Sequence, residues 1–339
     1  MRILVTGGTG FIGSHAVTEL AAAGHEPRLL VRSEEKMRRV FGQRGVATDD
    51  FVVGDVTDPG AVKAALEGCD AVVHAAATVS IEGRHAREVQ GTNIRGTELV
   101  VGGAAEAGVG AIHYISSLTA ILDPRAASID ADSPVVASKS AYGRSKADAE
   151  TFVRSLRDRG APISIFYPSA VLGPGDPGLA ESMRGLVAVV KTCVFRTSGG
   201  WLAVDVRDVA RSIRAVLDSE ATGGFVTAGH FLGWDELADL IGELAGHPVR
   251  RLPVPPRLLR ALGRGGDVVK RIFPFEYPIT RESMEMVTLM PAVPNSPALE
   301  ALGVRFRPPS ETHRDALREL VEAGHVPAKR APALARDDG

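Results

Sequence analysis

The stretch that most restricts what this chain can become is its start, MRILVTGGTGFIGSHAVTEL. Arg2–Thr6 reads as a short apolar strand. Gly7, Gly10 and Gly13 follow at the spacing G-x-x-G-x-x-G, and Phe11–Ala23 continues with helical periodicity through Phe11, Ile12, Val17 and Leu20. A strand that turns on glycines into a helix builds a cradle for a dinucleotide. Gly7 permits a turn that a Cβ would obstruct. Gly10 lets the backbone approach a pyrophosphate, and Gly13 lets the helix pack against the strand. The amides of the helix start, those of Phe11 and Ile12 included, present hydrogen-bond donors and a partial positive charge to phosphate oxygens. A glycine turn that binds no nucleotide is the plainer alternative. Strand, spacing and helix occurring together favour the cradle.

Strands and helices alternate behind this start. Glu26–Val31 is the second strand and ends at Arg32, and Ser33–Gly42 is a basic, polar helix. Phe51–Gly54 is the third strand. Asp55 and Val56 follow it, and Thr57-Asp58-Pro59 is a helix-start signal before a helix at Ala61–Leu66. Ala71–His74 is the fourth strand and runs into Ala75, Ala76 and Ala77. Ala86–Ala107 reads as one long, alanine-rich helix. Ala111–Ile115 is a strand ending in Ser116 and Ser117, Ala141–Arg159 a helix, and Ile163–Tyr167 a strand. This alternation predicts an α/β fold built on a doubly wound parallel sheet, the Rossmann arrangement, over residues 1–170. Ligands of such sheets bind beyond the carboxyl ends of the strands. Arg32, Asp55, Ala75–Ala77, Ser116, Ser117 and Pro168 all fall there. The loop GPGDPG at 173–178 leaves the sheet. Residues 171–325 are expected to form a smaller substrate-binding region, with 206–228 packing back onto the main sheet, and 326–339 a disordered tail.

The 339 residues suffice for one large domain or two coupled ones, and a net charge of −2 gives nucleic acid no support as a partner. Cys69 and Cys193 match no metal-ligand spacing and read as buried thiols in a reducing compartment. No apolar run is long enough to span a bilayer. The first strand begins at residue 2, so no leader is expected and the location expected is cytoplasmic.

Tyr142 and Lys146 lie four apart in SAYGRSKADAE, a spacing that puts both on one face of a helix. A free tyrosine, with a pKa of about 10, is a poor base at neutral pH. A neighbouring ammonium favours the phenolate and lowers that pKa. A tyrosine so tuned passes a proton to or from a substrate oxygen. Ser117 is placed to hydrogen-bond the same oxygen. Strand alternation sends Ser116 and Ser117 to opposite faces, so only one of them serves, and both simply ending a strand is the alternative.

LVTGGTGFIG, VVHAAA, YISS, YGRSK and FYPSAVLGPGD each resemble, in order, the sequence blocks of the extended short-chain dehydrogenase/reductases. The resemblance covers roughly residues 1–240 and lies closest to the dihydroflavonol-reductase and 3β-hydroxysteroid-dehydrogenase subgroups. It implies that Ser117, rather than Ser116, orients the substrate oxygen, that Tyr142 is the acid/base, and that Lys146 binds the nicotinamide ribose and tunes Tyr142. By the same resemblance Pro168, Ser169 and Val171 neighbour the nicotinamide, and Asp55 reads the adenine amino group. Asn93, in GTNIRGT, matches an asparagine of the fourth helix, with a helix-supporting amide as the alternative. The resemblance also implies a homodimer through the helices at 86–107 and 141–159, where Ala104, Ala105, Ala107, Ala147 and Ala149 suit close packing.

Arg32 bears on the choice of cofactor. Folds that bind NAD place Asp or Glu at the end of the second strand, to accept from the ribose 2′-hydroxyl. Here Arg32 stands there, with Lys36 nearby, and a guanidinium suits a 2′-phosphate. NADP(H) is therefore favoured. NAD(H) stays open, since Glu34 or Glu35 supplies a carboxylate if the loop register differs.

The second half leaves the substrate open. VRSEEK and GGWLAVDVRDVA resemble the subgroups that act on ring ketones or secondary alcohols. A nucleotide-sugar epimerase or dehydratase with tightly bound NAD is the alternative, and needs arginines for a second diphosphate; Arg184, Arg196, Arg207 and Arg281 are candidates. Phe195, Trp201, Phe225 and Phe231 are candidates for an apolar pocket or for core. A non-catalytic NADP(H)-binding sensor is the reading from another class, and the retention of Ser117, Tyr142 and Lys146 weighs against it. The stretch 250–271 carries seven basic residues against Asp267, with Leu258, Leu259 and Leu262 at apolar-stripe spacing. It reads either as a lid helix with a solvated basic face or as an amphipathic segment lying on an anionic membrane.

Overall fold

β1 (Arg2–Thr6) becomes the middle of the sheet because nothing in it tolerates water: Ile3, Leu4 and Val5 are fully buried. Ile3 and Val5 point to one face and Leu4 to the other, as strand alternation requires. The computed structural model describes residues 1–77, 86–136, 141–272 and 280–335. The side chains of residues 86–90, 141, 142, 268–272 and 282 lie outside that description.

The remaining strands of this sheet are β2 (Glu26–Val31), β3 (Phe51–Val53), β4 (Ala71–His74), β5 (Ala111–Ile115), β6 (Ile163–Pro168) and, from further along, β10 (Gly223–Thr227). They order as β10-β6-β5-β4-β1-β2-β3, and every pairing is parallel. The order reverses direction between β1 and β4, which opens a crevice at their carboxyl ends.

Helices cover both faces. α1 (Phe11–Ala22), α2 (Glu34–Gly42) and α8 (Val206–Asp218) pack on the Ile3 side through Val17, Leu20, Met37, Phe41, Val209 and Ile213. α3 (Pro59–Leu66), α4 (Ala86–Thr97), α5 (Gly103–Glu106) and α6 (Ala141–Asp158) take the Leu4 side. Helix starts are set locally. Ser33 Oγ accepts from the Lys36 amide at 3.1 Å, and Asp58 Oδ1 accepts from the Gly60 amide at 2.8 Å with Pro59 at the first helical position.

The single helix expected at 86–107 is corrected. Glu98–Gly102 winds as a π-helix between α4 and α5. The run LVVGG at 99–103 is too uniformly apolar for one 3.6-residue stripe. The wider turn buries Val100, Val101 and Ala104 together and brings Gly102 against the Phe152 ring.

After β6 the chain changes sheets. β7 (Ala170–Leu172) pairs with β9 (Gly200–Asp205), which pairs antiparallel with β11 (His230–Gly233). β8 (Val194–Phe195) pairs with β12 (Arg251–Leu252). α7 (Glu181–Lys191), α9 (Trp234–Ala245) and α13 (Pro309–Glu322) share a third core with these strands. α10 (Pro256–Ile272), α11 (Arg281–Leu289) and α12 (Pro297–Ala301) complete the chain. The loop at 173–178 is strapped down. His15 Nε2 bonds Pro174 O at 2.8 Å, Arg44 donates to Gly175 O at 2.6 Å, and the Glu319 carboxylate accepts from the amides of Gly175 and Asp176.

Two further expectations need correction. The disordered tail does not begin at 326: Val326 and Ala331 are buried, and the Ala333 amide donates to Ala245 O at 3.1 Å, so 326–335 packs on the end of α9. Residues 336–339 lie outside the described chain. Cys69 and Cys193 are free but only half-buried.

Candidate active site

The glycine turn sits at the crevice between β1 and β4. Gly7 has φ +70°, and a Cβ there would lie 2.6 Å from the backbone of Ala75 and Ala76. The turn after β1 is thus pressed against the segment after β4, and only glycine fits. A Cβ on Gly13 would stand 2.1 Å from Gly7 O, which fixes the close approach of α1 to its own turn. Gly10 is the N-cap of α1 and has no side chain to cap it. The first-turn amides, those of Phe11 and Ile12 among them, are left for an outside acceptor. Ala75 and Ala76 are half-buried and Ala77 exposed, so the wall beyond β4 is low and free of bulky groups.

Arg32 follows the last residue of β2 and is exposed. Asp55 lies two residues past β3. Asp55 Oδ1 accepts from the Thr57 amide at 2.9 Å and from its hydroxyl at 2.7 Å. Burial pushes the Asp55 carboxyl up, but the Thr57 bonds and Arg32 outweigh it and hold it below the usual range. Val56 packs against Gly96 of α4, where a Cβ would come within 2.8 Å of its side chain.

Lys146 projects from α6 under the carboxyl end of β5. It is 5% exposed; its ammonium donates to Ile115 O at 3.1 Å and lies 5.6 Å from the centre of the Tyr114 ring. Burial lowers its pKa to about 8, partly offset by Glu150. Tyr142 lies one turn earlier on the same helix face; its side chain is outside the described residues. Glu150 and Arg154 continue that face. Glu150 is fully buried, accepts from Arg154 Nε at 2.8 Å and from the Tyr167 hydroxyl at 2.5 Å, and anchors the far end of the stripe.

The two serines differ as alternation requires. Ser116 is 4% exposed, and its hydroxyl has no partner among the described residues. Ser117 is half-buried; its hydroxyl pairs with Thr119 Oγ1 at 2.8 Å and accepts from the Thr119 amide at 3.3 Å. Pro168 ends β6. The Ser169 hydroxyl donates to Ala228 O at 2.7 Å, one residue past β10, and Val171 is buried in β7.

Asn93 is buried, and its amide donates to Ser145 Oγ at 3.1 Å, which ties α4 to the helix of Lys146. His74, which no sequence motif singled out, joins this link through Thr97. The Thr97 hydroxyl donates to Asn93 O at 2.9 Å, so its oxygen must accept from His74 Nε2 at 3.3 Å. Burial, together with Lys146, depresses the pKa of the His74 ring to about 3, so the ring is neutral and its Nδ1 accepts from the Thr6 hydroxyl at 2.7 Å. The ring also stacks on Tyr114. The signal was present in VVHAAA: a histidine among buried valines, at the end of a strand that leads into the crevice.

A family model described as the NAD dependent epimerase/dehydratase family matches residues 3–228. This chain belongs to that family. It is 32% identical over 285 residues to "Sterol demethylase protein B" of Methylococcus capsulatus, covering 80% of this chain and 83% of the relative. A "Putative dihydroflavonol 4-reductase" of Synechocystis is 29% identical over 346 residues, 98% of this chain and 92% of that protein. Among solved structures, gox2253 superposes with a TM-score of 0.78 at 27% identity, over 96% of this chain and 99% of that one. The family member described here is a nicotinamide-dependent enzyme of the extended short-chain dehydrogenase/reductase type.

The substrate half departs from the expectations. Arg196 pairs with Asp235 at 3.0 Å, Arg207 with Asp205 at 2.7 Å and Asp315 at 2.8 Å, and Arg281 with Glu285 at 2.8 Å, while Arg184 donates to Leu179 O. Phe225 is core, stacked on Phe166, and Trp201 packs edge-on to Trp234; Phe195 and Phe231 are half-buried. Of the alanines suited to a partner chain, Ala104, Ala147 and Ala149 are already buried within this one, by the packing of α6 on α4 and its neighbours.

Proposed function

We propose that this enzyme moves hydride between its nicotinamide and a ketone or secondary alcohol on an apolar substrate that carries no nucleotide. The observation that carries this reading is the state of the four arginines that the sequence offered for a second diphosphate. A sugar-nucleotide substrate presents a second diphosphate, which guanidinium groups would have to receive. Arg196, Arg207 and Arg281 are each held by a carboxylate of the protein and Arg184 by a carbonyl. The two relatives described above carry names that refer to a sterol and a dihydroflavonol, ring systems with no diphosphate.

The residues fit a dinucleotide. The uncapped helix start would receive the pyrophosphate, Asp55, whose Oδ2 is left open by the Thr57 bonds to Oδ1, would accept from the adenine amino group, and Lys146 would bind the nicotinamide ribose. NADP(H) is favoured over NAD(H), because the exposed guanidinium of Arg32, with Lys36 one turn into α2, suits a 2′-phosphate. When bound, the nicotinamide gives or takes the hydride. Tyr142 moves the proton on the substrate oxygen. Lys146, with a pKa of about 8, stays protonated at neutral pH and so favours the phenolate. Ser117, its hydroxyl oriented by Thr119, hydrogen-bonds the same oxygen.

The test is a titration with NADPH and NADH, followed by turnover assays on ring ketones, sterols and UDP-sugars. Net oxidation of NADPH with a carbonyl substrate is the expected result. A protein that retains NAD through purification and interconverts UDP-sugars with no net oxidation is an epimerase and refutes the proposal. A protein that binds NADPH and turns over none of these, with Tyr142→Phe indistinguishable from wild type in its cellular role, is a sensor.

A further inference from the structure

α10 has two unlike faces. Its inner face packs on α11: Leu259 is 2% exposed, Gly263 sits where a Cβ would meet Thr280 O at 2.6 Å, and Arg260 donates to Thr288 Oγ1 at 3.2 Å. The expected stripe of three leucines is therefore split, because Leu259 serves the core while Leu258 and Leu262 stand one turn apart on the outer face. These two are 51% and 49% exposed. The other large hydrophobic side chains exposed among the described residues are Met1, at the chain end, and Val53, at the end of the edge strand β3.

The segment that carries this face is basic, although Arg251 pairs with Asp239 and Arg260 lies on the inner face. Residues 250–271 hold seven arginines and lysines against one aspartate, a local charge of +6 in a chain whose total is −2, so the rest of the protein carries −8. Arg250, Arg257 and Arg264 are exposed and make no ion pair among the described residues. Asp267, the one acid, is turned to the Arg281 amide at 3.3 Å. Among the described residues no helix is long and apolar enough to cross a membrane, so α10 can lie on one but not span it.

We propose that the outer face of α10 docks the enzyme on an anionic phospholipid surface, with Leu258 and Leu262 entering the acyl boundary and Arg257 and Arg264 meeting the lipid phosphates. Two leucines are too small a patch for a stable protein partner, which needs a broad complementary surface. A bilayer accepts them without shape matching. Nucleic acid would use the arginines and leave the leucines in water. The proposal does not depend on which carbonyl compound the site handles.

Co-sedimentation of the full chain with vesicles tests it. Wild type pellets with phosphatidylcholine vesicles containing phosphatidylglycerol, stays in the supernatant with phosphatidylcholine alone, and is released by salt. Leu258→Glu/Leu262→Glu and, separately, Arg257→Gln/Arg264→Gln lower the partition by about tenfold or more. All four side chains are exposed, so both variants keep the wild-type circular dichroism and melting temperature. Wild type that ignores anionic vesicles overturns the proposal, as does a leucine variant that binds them like wild type. So does a wild-type dimer, seen by sedimentation velocity, that the leucine variant disperses with no vesicle binding in either protein: the face then joins two copies of the chain.

Discussion

Alanine at Gly13 and alanine at Gly10 should separate folding from binding within a single turn. A Cβ at position 13 lies 2.1 Å from Gly7 O, 2.7 Å from Gly7 C and 3.0 Å from Gly8 Cα. All three are backbone atoms of the turn, so no rotamer relieves the clash and α1 must move. It cannot move freely, because Ser14, Ala16, Val17 and Leu20 are buried behind Gly13. Overpacking of this kind costs about 3 kcal/mol, the upper part of the usual range. A Cβ at position 10 meets only Gly7 O, at 3.2 Å, and the backbone there, φ −95° and ψ 178°, is open to alanine. Its cost to stability is the loss of glycine at an N-cap, about 0.5–1 kcal/mol. The same methyl otherwise stands in open space, on the side from which a pyrophosphate reaches the uncapped amides. Gly10→Ala is therefore expected to weaken NADPH binding by at least about tenfold, or ~1.4 kcal/mol. Urea unfolding and NADPH fluorescence titration on the same preparations give both numbers. A Gly13→Ala protein that unfolds at the wild-type midpoint refutes the packing argument. A Gly10→Ala protein with wild-type NADPH affinity shows that the dinucleotide lies elsewhere.

Three further outcomes follow from the site. Arg32→Ala should lower the preference for NADPH over NADH by about tenfold, the loss of a guanidinium–phosphate pair; a wild type that already binds NADH ten times more tightly defeats the assignment at once. Tyr142→Phe should cut turnover by roughly 100- to 10,000-fold while leaving NADPH affinity near wild type, and a variant with more than a tenth of the activity removes Tyr142 from the chemistry. Lys146→Met should abolish activity and yet stabilise the protein. Burial holds the folded Lys146 near 8 against an ordinary 10.5, so the unfolded chain binds more protons between those values and the buried charge penalises the fold below about pH 8. The gross penalty is on the order of 3 kcal/mol. Losing the bond to Ile115 O returns part of it, leaving about 1–2 kcal/mol in favour of the variant at pH 7, and the difference should shrink as pH rises through 8 toward 10. Chemical denaturation at pH 7 and pH 10 measures it, and an equal or lower midpoint at pH 7 contradicts the burial argument.

What could be read in advance was whatever obeys short-range rules. Ala71–His74 and Ala111–Ile115 each follow a glycine-containing turn and carry β-branched residues, and their limits agree with the structure. Asp58-Pro59 and Ser33 announced their helices through capping chemistry that depends on three neighbouring residues. The π-helix at 98–102 was not legible, because the apolar run LVVGG does not by itself say which turn widens, and the Phe152 ring that Gly102 meets comes from a helix some fifty residues later. The arginines of the substrate half illustrate the same limit. Arg207 looked available to a ligand, but Asp315, which holds it together with Asp205, comes from α13 more than a hundred residues on. The tail was misjudged because its two apolar anchors, Val326 and Ala331, are small and far apart, and only the end of α9 makes a pocket for them. For the site, the glycine spacing and the Tyr142–Lys146 spacing are local and were visible. The partners that hold Lys146 in place, Tyr114 and Ile115 O on β5, are not.

The buried cation at Lys146 keeps its charge beside a second titratable side chain. Removing an ammonium from water favours its neutral form, and a second positive group within the same cluster would complete the loss. His74 is the nearby group able to do that damage, since it stacks on the Tyr114 ring beside which the Lys146 ammonium also lies. Burial and the ammonium of Lys146 itself keep the His74 ring neutral, and a chain of hydrogen bonds then fixes its tautomer. Asn93 O takes the proton of the Thr97 hydroxyl, Thr97 can then only accept from His74 Nε2, and Nδ1 is left to accept from Thr6. Thr6 is the last residue of β1 and the one before Gly7. The strand that feeds the glycine cradle, the π-wound helix and the helix of Tyr142 are thereby joined through one uncharged imidazole. Lys146 thus keeps its ammonium beside a neutral imidazole, and Glu150, one turn further along α6, offsets part of the burial that lowers its pKa.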